Sequence, residues 1–300
     1  MHIRDIADLS KSSVIVRDCY FSTLGKLNAL NQDGTLIFLS DEKCISQTFD
    51  KRISGIVASK AIADKLLNRE ELGIMVSDNP KEDFYLIHEY LVSKNYFQKT
   101  LPTTIGENTY ISKSAVISDQ DVIIGDNCII GENVILEPGV EVKNNSIIRA
   151  GCIIGEESIE IFRKDRKNRM VPHGGKVIIG SDVEILPHCI ISKGLFPGRN
   201  TEISDDTIID NMVYIAHGNQ IGEDTIIAAK ASISGNCTVG SNTWIGPGVI
   251  ISNGIKIGSN AYISIGSVVT RNVPDHSKKT GNFAIDHDKF MMDMVKKMRD

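Results

Sequence analysis

From Ile203 to Val269 an aliphatic residue falls on every sixth position: Ile203, Ile209, Ile215, Ile221, Ile227, Ile233, Val239, Ile245, Ile251, Ile257, Ile263 and Val269. An α-helix would wind these residues around its circumference, and a half-buried strand would not skip two inward positions. The spacing predicts a coil in which each six-residue unit is a short strand plus a corner. Three units then close a triangular circuit of eighteen residues, and successive circuits stack in parallel at about 4.8 Å. The same register begins at Ile179, continues through Ile185 and Ile191, and misses only at Pro197, so segment 194–201 is expected to bend outward. Upstream, Ile105, Ile111 and Ile117 open the coil, and after a one-residue slip Ile124, Ile130, Leu136, Val142, Ile148 and Ile154 carry it on. Segment 157–176 has no repeat and many charges (Arg163, Lys164, Asp165, Arg166, Lys167, Arg169). It is expected to protrude as a loop, with most of those charges simply solvated.

The position four residues after the aliphatic is small in most units (Thr225, Ala231, Cys237, Thr243, Val249, Ala261, Ser267), with Asn219 and Ile255 the larger entries, as an inward side chain near a tight corner favours. Cys128, Cys152, Cys189 and Cys237 fall in this slot, and none of the six cysteines has CxxC spacing, so they read as compact buried hydrophobes rather than disulfides or metal ligands. Gly222, Gly240, Gly246 and Gly258 directly follow an aliphatic residue, where positive φ is expected. The units resemble those of the hexapeptide-repeat acyltransferases. That resemblance implies a mainly β chain built on a left-handed parallel β-helix; periodicity alone gives no hand, and the usual crossover rule favours the opposite one.

Residues 1–101 lack the period and read as a small α/β domain, with strands at 35–39, 55–58 and 74–76 and helices at 62–67 and 84–91. No G-x-G-x-x-G opens a helix there. The coil domain is expected over 102–274, between Pro102 and Pro274, with 157–176 as its insertion. A C-terminal extension, 275–300, holds one short amphipathic helix from Asp286 to Met298. A net charge of -5 argues against a general nucleic-acid or anionic-membrane binder. No apolar run approaches a membrane span and no signal-peptide core opens the chain, so a cytoplasmic protein is expected.

His217, in Tyr214-Ile-Ala-His-Gly-Asn219, follows the inward Ile215 by two and is expected to face outward. Eighteen-residue spacing would align Arg199, His217, Gly235, Asn253 and Arg271 along one edge. A neutral imidazole can take a proton from an attacking amine or hydroxyl. One turn along, the backbone N–H of Gly235 can stabilise the oxyanion of an attacked thioester. Three turns along, about 14 Å away, Arg271 can meet the phosphates of a pantetheine-bearing donor.

The motif from Ile209-Asp-Asn-Met to His217, the downstream Gly235, the interrupted coil resuming at Gly175-Lys-Val-Ile-Ile-Gly180, and the non-repeat N-terminal domain together resemble the UDP-3-O-acylglucosamine N-acyltransferases of lipid A biosynthesis. The resemblance implies His217 as general base and Gly235 as oxyanion donor. It implies Phe38, Asp210 and Asn211 in acceptor binding, Asn253 and Arg271 in donor binding, an N-terminal domain that holds the nucleotide, and a homotrimer with sites between subunits. No bound cofactor or metal is implied; the co-substrate is an acyl-CoA or acyl carrier protein thioester, and the acceptor a nucleotide-linked amino sugar. The chain departs from the family where a second histidine would stand (Gly254), where an aromatic partner for Phe38 would stand (Cys44), and at its ending, Gly266-Ser-Val-Val-Thr-Arg-Asn-Val-Pro274 with Gly281-Asn282, which looks more like the coenzyme A-dependent acetyltransferases. O-acetylation of a glycan hydroxyl and a non-catalytic solenoid stay open. A zinc hydratase would need three imidazoles around one metal, and His173 and His188 lie outside the column of His217. A sugar-nucleotide transferase would need a larger nucleotide domain.

Overall fold

The inward aliphatic residues stack as their period requires. A computed structural model describes all residues except 10–12, 31, 98–99, 282–283, 285 and 298–300. On one face of its coil Ile209, Ile227, Ile245 and Ile263 are in parallel register. On the second face stand Ile215, Ile233, Ile251 and Val269, and on the third Ile203, Ile221, Val239 and Ile257. Each step is eighteen residues. All but Val269 are at most 2% exposed, and each buried side chain contributes about 1.5 to 3 kcal/mol. The three faces are parallel sheets of nine, eight and eight short strands, which makes the chain a parallel β-helix.

The small slot has a second requirement beyond size. The thiols of Cys128, Cys152, Cys189 and Cys237 are free, and their Sγ atoms donate to the carbonyls of Lys143, Leu186, Asp210 and Ser252 at 3.1, 3.1, 3.0 and 3.1 Å. Thr225 and Thr243 do the same with their hydroxyls toward Gly240 and Gly258, at 3.2 and 3.1 Å. A compact donor there satisfies a corner carbonyl of the next turn.

Positive φ falls two residues later than the glycine pattern suggested. Asp206, Met212, Gly218, Asp224, Lys230, Asn236, Asn242, Gly248, Gly254, Asn260 and Gly266 carry it, mostly residues that tolerate the left-handed region. Gly222 and Gly240 are needed for close approach instead, since a Cβ would stand 2.6 Å from Ser241 N and 2.4 Å from Ser259 N respectively.

The first five strands belong to the N-terminal sheet, β1 (Val14–Arg17), β2 (Thr23–Leu24), β3 (Thr35–Leu39), β4 (Ile53–Ala58) and β5 (Gly73–Val76). Their order is β1-β5-β4-β3-β2, with only β1 antiparallel to its neighbour. Two helices accompany it, α1 (Lys60–Asp64) and α2 (Pro80–Ser93). Asn79 caps α2 and Pro80 occupies its first turn, which fixes where it starts.

Both interruptions of the coil turn back onto α2, so neither is a solvated excursion. Segment 157–176 contains an antiparallel hairpin, Ile161–Lys164 against Lys167–Met170. Its Phe162 and Val171 join Leu195 and Phe196 in one buried cluster with Phe84, Tyr85, Ile87 and Leu91 of α2. Phe162 stacks on Tyr85 at 5.5 Å, and Phe196 meets Phe84 edge-on at 5.6 Å. The charges that dominate the sequence of this segment sit on the outer side; Arg169, for example, reaches Glu89 at 2.8 Å.

Lys278–Lys279 pairs with Tyr262–Ile263, so the coil runs past Pro274. A final helix, α3 (His287–Lys297), leaves Phe290, Met291, Met294 and Val295 exposed. Met298 and Asn282 lie outside the described residues.

Candidate active site

Register places four of the expected residues over one another and moves a fifth. Ile215, Ile233, Ile251 and Val269 are in line, so His217, Gly235, Asn253 and Arg271, each two residues further on, share the next corner. The residue stacked before Ile215 is Ile191 and not Pro197, which lies eighteen positions back. The 194–201 bulge adds six residues to that circuit, and the column therefore continues to Lys193 rather than Arg199. Arg199 still comes close from the bulge, its Cγ 3.4 Å from where a Cβ on Gly218 would be.

His217 leaves the coil outward, yet it is only 5% exposed. The insertion covers it. Ser158 Oγ lies 2.7 Å from His217 Nδ1 and 3.3 Å from His173 Nε2, and the two imidazoles meet edge to face at 5.4 Å. In the hairpin register that opposes Ile161 to Met170, Ser158 and His173 oppose each other at its base. The Glu157 carboxylate accepting from His173 N at 2.9 Å ties the two legs together.

Behind this pair lies a half-buried ionic group. Lys26 pairs with Glu160 at 2.8 Å, and the Tyr85 hydroxyl donates to the same carboxylate at 2.5 Å. Burial alone would raise the pKa of Glu160, but Lys26 and Tyr85 hold it below the ordinary value. Burial pushes the pKa of His217 down to about 4, with the nearby Glu160 opposing and Lys26 adding to the shift. His173 is lowered to about 3, again chiefly by burial and then by His217. Both rings are neutral at pH 7.

The other ring nitrogen of His217, Nε2, is buried and has no hydrogen-bond partner among the described residues. It points at Gly235, where a Cβ would stand 2.6 Å from Nε2 and 2.7 Å from Cε1. Among the described residues the Gly235 N–H donates to no other group. An unpartnered ring nitrogen and an unengaged amide thus meet at one corner. Solvent does not reach Nε2 in this conformation.

Two cavities flank the column. One of about 250 Å³ opens beside His173 and Lys193, bounded by Asn95, Tyr96 and Gln120. The other, about 350 Å³, lies at the far end of the coil, where Arg271 and Lys279 bring two cations together.

A comparison with protein families matches residues 121–156 and 236–271 to the bacterial transferase hexapeptide (six repeats). Both matched segments lie in the coil. Among solved structures, this array is similar to the UDP-N-acetylglucosamine acyltransferase from Campylobacter jejuni, at 21% identity over 63% of this chain and 77% of that one, with a TM-score of 0.54. LpxA from Acinetobacter baumannii matches at 22% identity over 63% and 78% of the two chains, with a TM-score of 0.45. The acetyltransferase domain of PglB from Neisseria gonorrhoeae, in complex with acetyl coenzyme A, matches at 15% over 83% and 98%, with a TM-score of 0.19. The first of these establishes the fold of the hexapeptide array and no more. No curated protein matches the sequence.

The remaining expected residues lie apart from this corner. Asp210 and Asn211 occupy the preceding corner, where Asp210 accepts from Asn211 N at 2.7 Å and from Ala229 N, one turn on, at 3.1 Å. That is the same corner-tying role that Asp205 plays toward Ser181 N at 2.8 Å. Phe38 is half-buried against Phe84 and Tyr85, with ring centroids 5.0 and 6.0 Å away. It joins the cluster on the α2 side of the sheet, whereas Cys44 packs with the cluster on the other side. No aromatic sandwich can form between positions 38 and 44.

Proposed function

We propose that the chain transfers an acyl group from a thioester to the amine of a nucleotide-linked amino sugar, with His217 as general base. The observation that carries this reading is the unpartnered His217 Nε2 beside Gly235, on a hexapeptide array. The amine nitrogen attacks the thioester carbonyl carbon and loses a proton to Nε2. The Gly235 N–H stabilises the oxyanion. Collapse of the adduct forms the amide, breaks the carbon–sulfur bond and returns the proton from His217 to the leaving thiolate.

The donor arm is assigned to the column itself. Asn253 and Arg271 stand one and two turns beyond Gly235, and the Arg271–Lys279 pair is suited to the phosphates of acyl-CoA or of an acyl carrier protein's pantetheine. In this reading Phe38, Asp210 and Asn211 keep their acceptor roles only toward a neighbouring subunit's site, since none faces His217 of its own chain.

A homotrimer is part of the proposal. A prism has flat faces, and binding sites are concave. Outward side chains on two of the faces are largely apolar: Ile129, Ile208, Ile226 and Tyr262 on one, Val116, Ile190, Ile250 and Val268 on the other, all exposed in the single chain. The third presents Glu141, Glu202, Gln220, Thr238 and Lys256. Packing the two apolar faces against those of neighbours would leave the polar face in water and set the His217 corner at the rim of the groove. Light scattering at micromolar concentration should give three times the chain mass; a monomer would remove the groove from the proposal.

The function is tested by thiol release, crossing acetyl-CoA, longer acyl-CoAs and acyl carrier protein with UDP- and dTDP-linked amino sugars. One such pair should turn over, and His217→Ala should lower kcat by about 10² to 10⁴. Turnover of a plain glycan alone would overturn the acceptor, and an undiminished His217→Ala enzyme would overturn the base.

A further inference from the structure

The hydrogen bonds behind His217 can be given a direction, because one end of the chain of contacts is fixed. The Val171 carbonyl can only accept, so His173 Nδ1, 3.1 Å away, must carry a proton. A neutral imidazole has one N–H, which leaves His173 Nε2 as an acceptor. Only the Ser158 hydroxyl faces it, at 3.3 Å, and that hydroxyl therefore donates. Having given its single proton, Ser158 Oγ accepts across its 2.7 Å contact, and His217 Nδ1 is the donor. His217 Nε2, toward Gly235, is left with a bare lone pair.

We infer that Ser158 and His173 are positioning residues which hold His217 in its Nδ1–H tautomer, so that the nitrogen facing Gly235 is always the one able to accept a proton. This rests on the reading of His217 as base and deepens it. The opposite tautomer would aim an N–H at the acceptor amine, where it could take up no proton. Nothing within the coil itself selects between the tautomers, since Ser158 and His173 both come from the insertion. Their opposition at the hairpin base makes the array's base depend on a segment outside the repeat.

Single substitutions at the two positions have different consequences. In His173→Ala the Ser158 hydroxyl loses its acceptor, turns, and donates to His217 Nδ1; the ring then carries its proton on Nε2. In Ser158→Ala neither nitrogen has a partner, and both tautomers are populated. Ser158→Thr restores the hydroxyl.

The test is nitrogen NMR of the full chain with labelled histidine, at pH 7, alongside kinetics. The wild-type His217 should show a protonated Nδ1 and a bare Nε2. His173→Ala should reverse this assignment and lower kcat about 10²-fold with little change in KM, because acceptor binding is not what the tautomer controls. Ser158→Ala should average the two ring nitrogens and Ser158→Thr should recover the wild-type pattern, which separates tautomer control from a general loss of packing. A wild-type ring protonated on Nε2, or tautomers and rates that ignore both substitutions, would overturn the inference. Because the NMR readout does not involve turnover, it stands apart from the His217→Ala assay: an active His217→Ala enzyme removes the base and leaves the tautomer assignment intact.

Discussion

Gly235→Ala should reduce acyl transfer at least about 100-fold while leaving the coil folded. The backbone at Gly235 does not have positive φ, so an L-residue is conformationally allowed there. What forbids a methyl group is the imidazole: the new Cβ would stand 2.6, 2.7 and 3.1 Å from Nε2, Cε1 and Cδ2 of His217. The ring cannot back away, because Ser158 and His173 fill the space behind it. Either the imidazole is pushed off its axis or the methyl occupies the place of the acceptor nitrogen. Alanine retains its backbone N–H, so the loss measures the collision with the ring and not the removal of the oxyanion donor. Overpacking of this kind costs about 1 to 3 kcal/mol, which a long array can absorb. The double variant with His217→Ala should be no slower than His217→Ala alone, since the collision then has no ring to act on. A Gly235→Ala enzyme with wild-type kcat/KM would show that the acceptor does not use this corner.

The coil was legible because its rule is local and repeated. One aliphatic residue every six positions settles a strand, a corner and a neighbour eighteen residues away, and the same statement recurs in every uninterrupted turn. His217 and Gly235 could be paired from the sequence for that reason alone. Arg199 could not be placed so simply: six extra residues around Pro197 make that circuit longer by one unit, and the column passes to Lys193. The spacing around Pro197 held the signal for this, since a missed slot followed by an intact register means a whole unit has been looped out.

The cover over the base was not legible in the same way. Ser158 and Glu160 on one leg of the insertion, His173 on the other and Lys26 in the N-terminal domain have no period in common. Their meeting depends on how a hairpin folds across α2, and the apolar residues that direct it, Phe162 and Val171, carry no repeat that marks them out from their exposed apolar neighbours Ile161 and Met170. An outward-facing histidine therefore became a buried one. The hairpin itself left a trace, because with a tight turn at Asp165 and Arg166, both of positive φ, positions 158 and 173 come out opposite one another. Asp210 carries the converse lesson. Its motif is legible in the sequence, whereas the hold of its carboxylate on an amide of the next turn is not.

Acid should destabilise the fold well before the carboxylates titrate. Three histidines are buried and neutral: His88, lowered to about 4 by burial, His173 at about 3 and His217 at about 4. Unfolded, each returns to a value near 6.5. Between these values the unfolded chain binds more protons than the folded one, so stability falls as pH falls. The groups facing them are Glu160, which favours protonation of His88 and His217, and Lys26 and Lys193, which oppose it at His217 and His173 respectively. At pH 5 all three rings are still largely neutral in the folded chain. The loss is then set by the unfolded value and amounts to about 2 kcal/mol per histidine. Summed over three rings, that is a large part of the net stability of a typical domain. Urea midpoints should therefore drop steeply from pH 7.5 to 5, and His88→Gln, whose amide can keep the 2.8 Å contact to the Pro172 carbonyl, should remove about one third of the drop. A midpoint that stays level across that range would mean that the three rings are already open to protons in the native state.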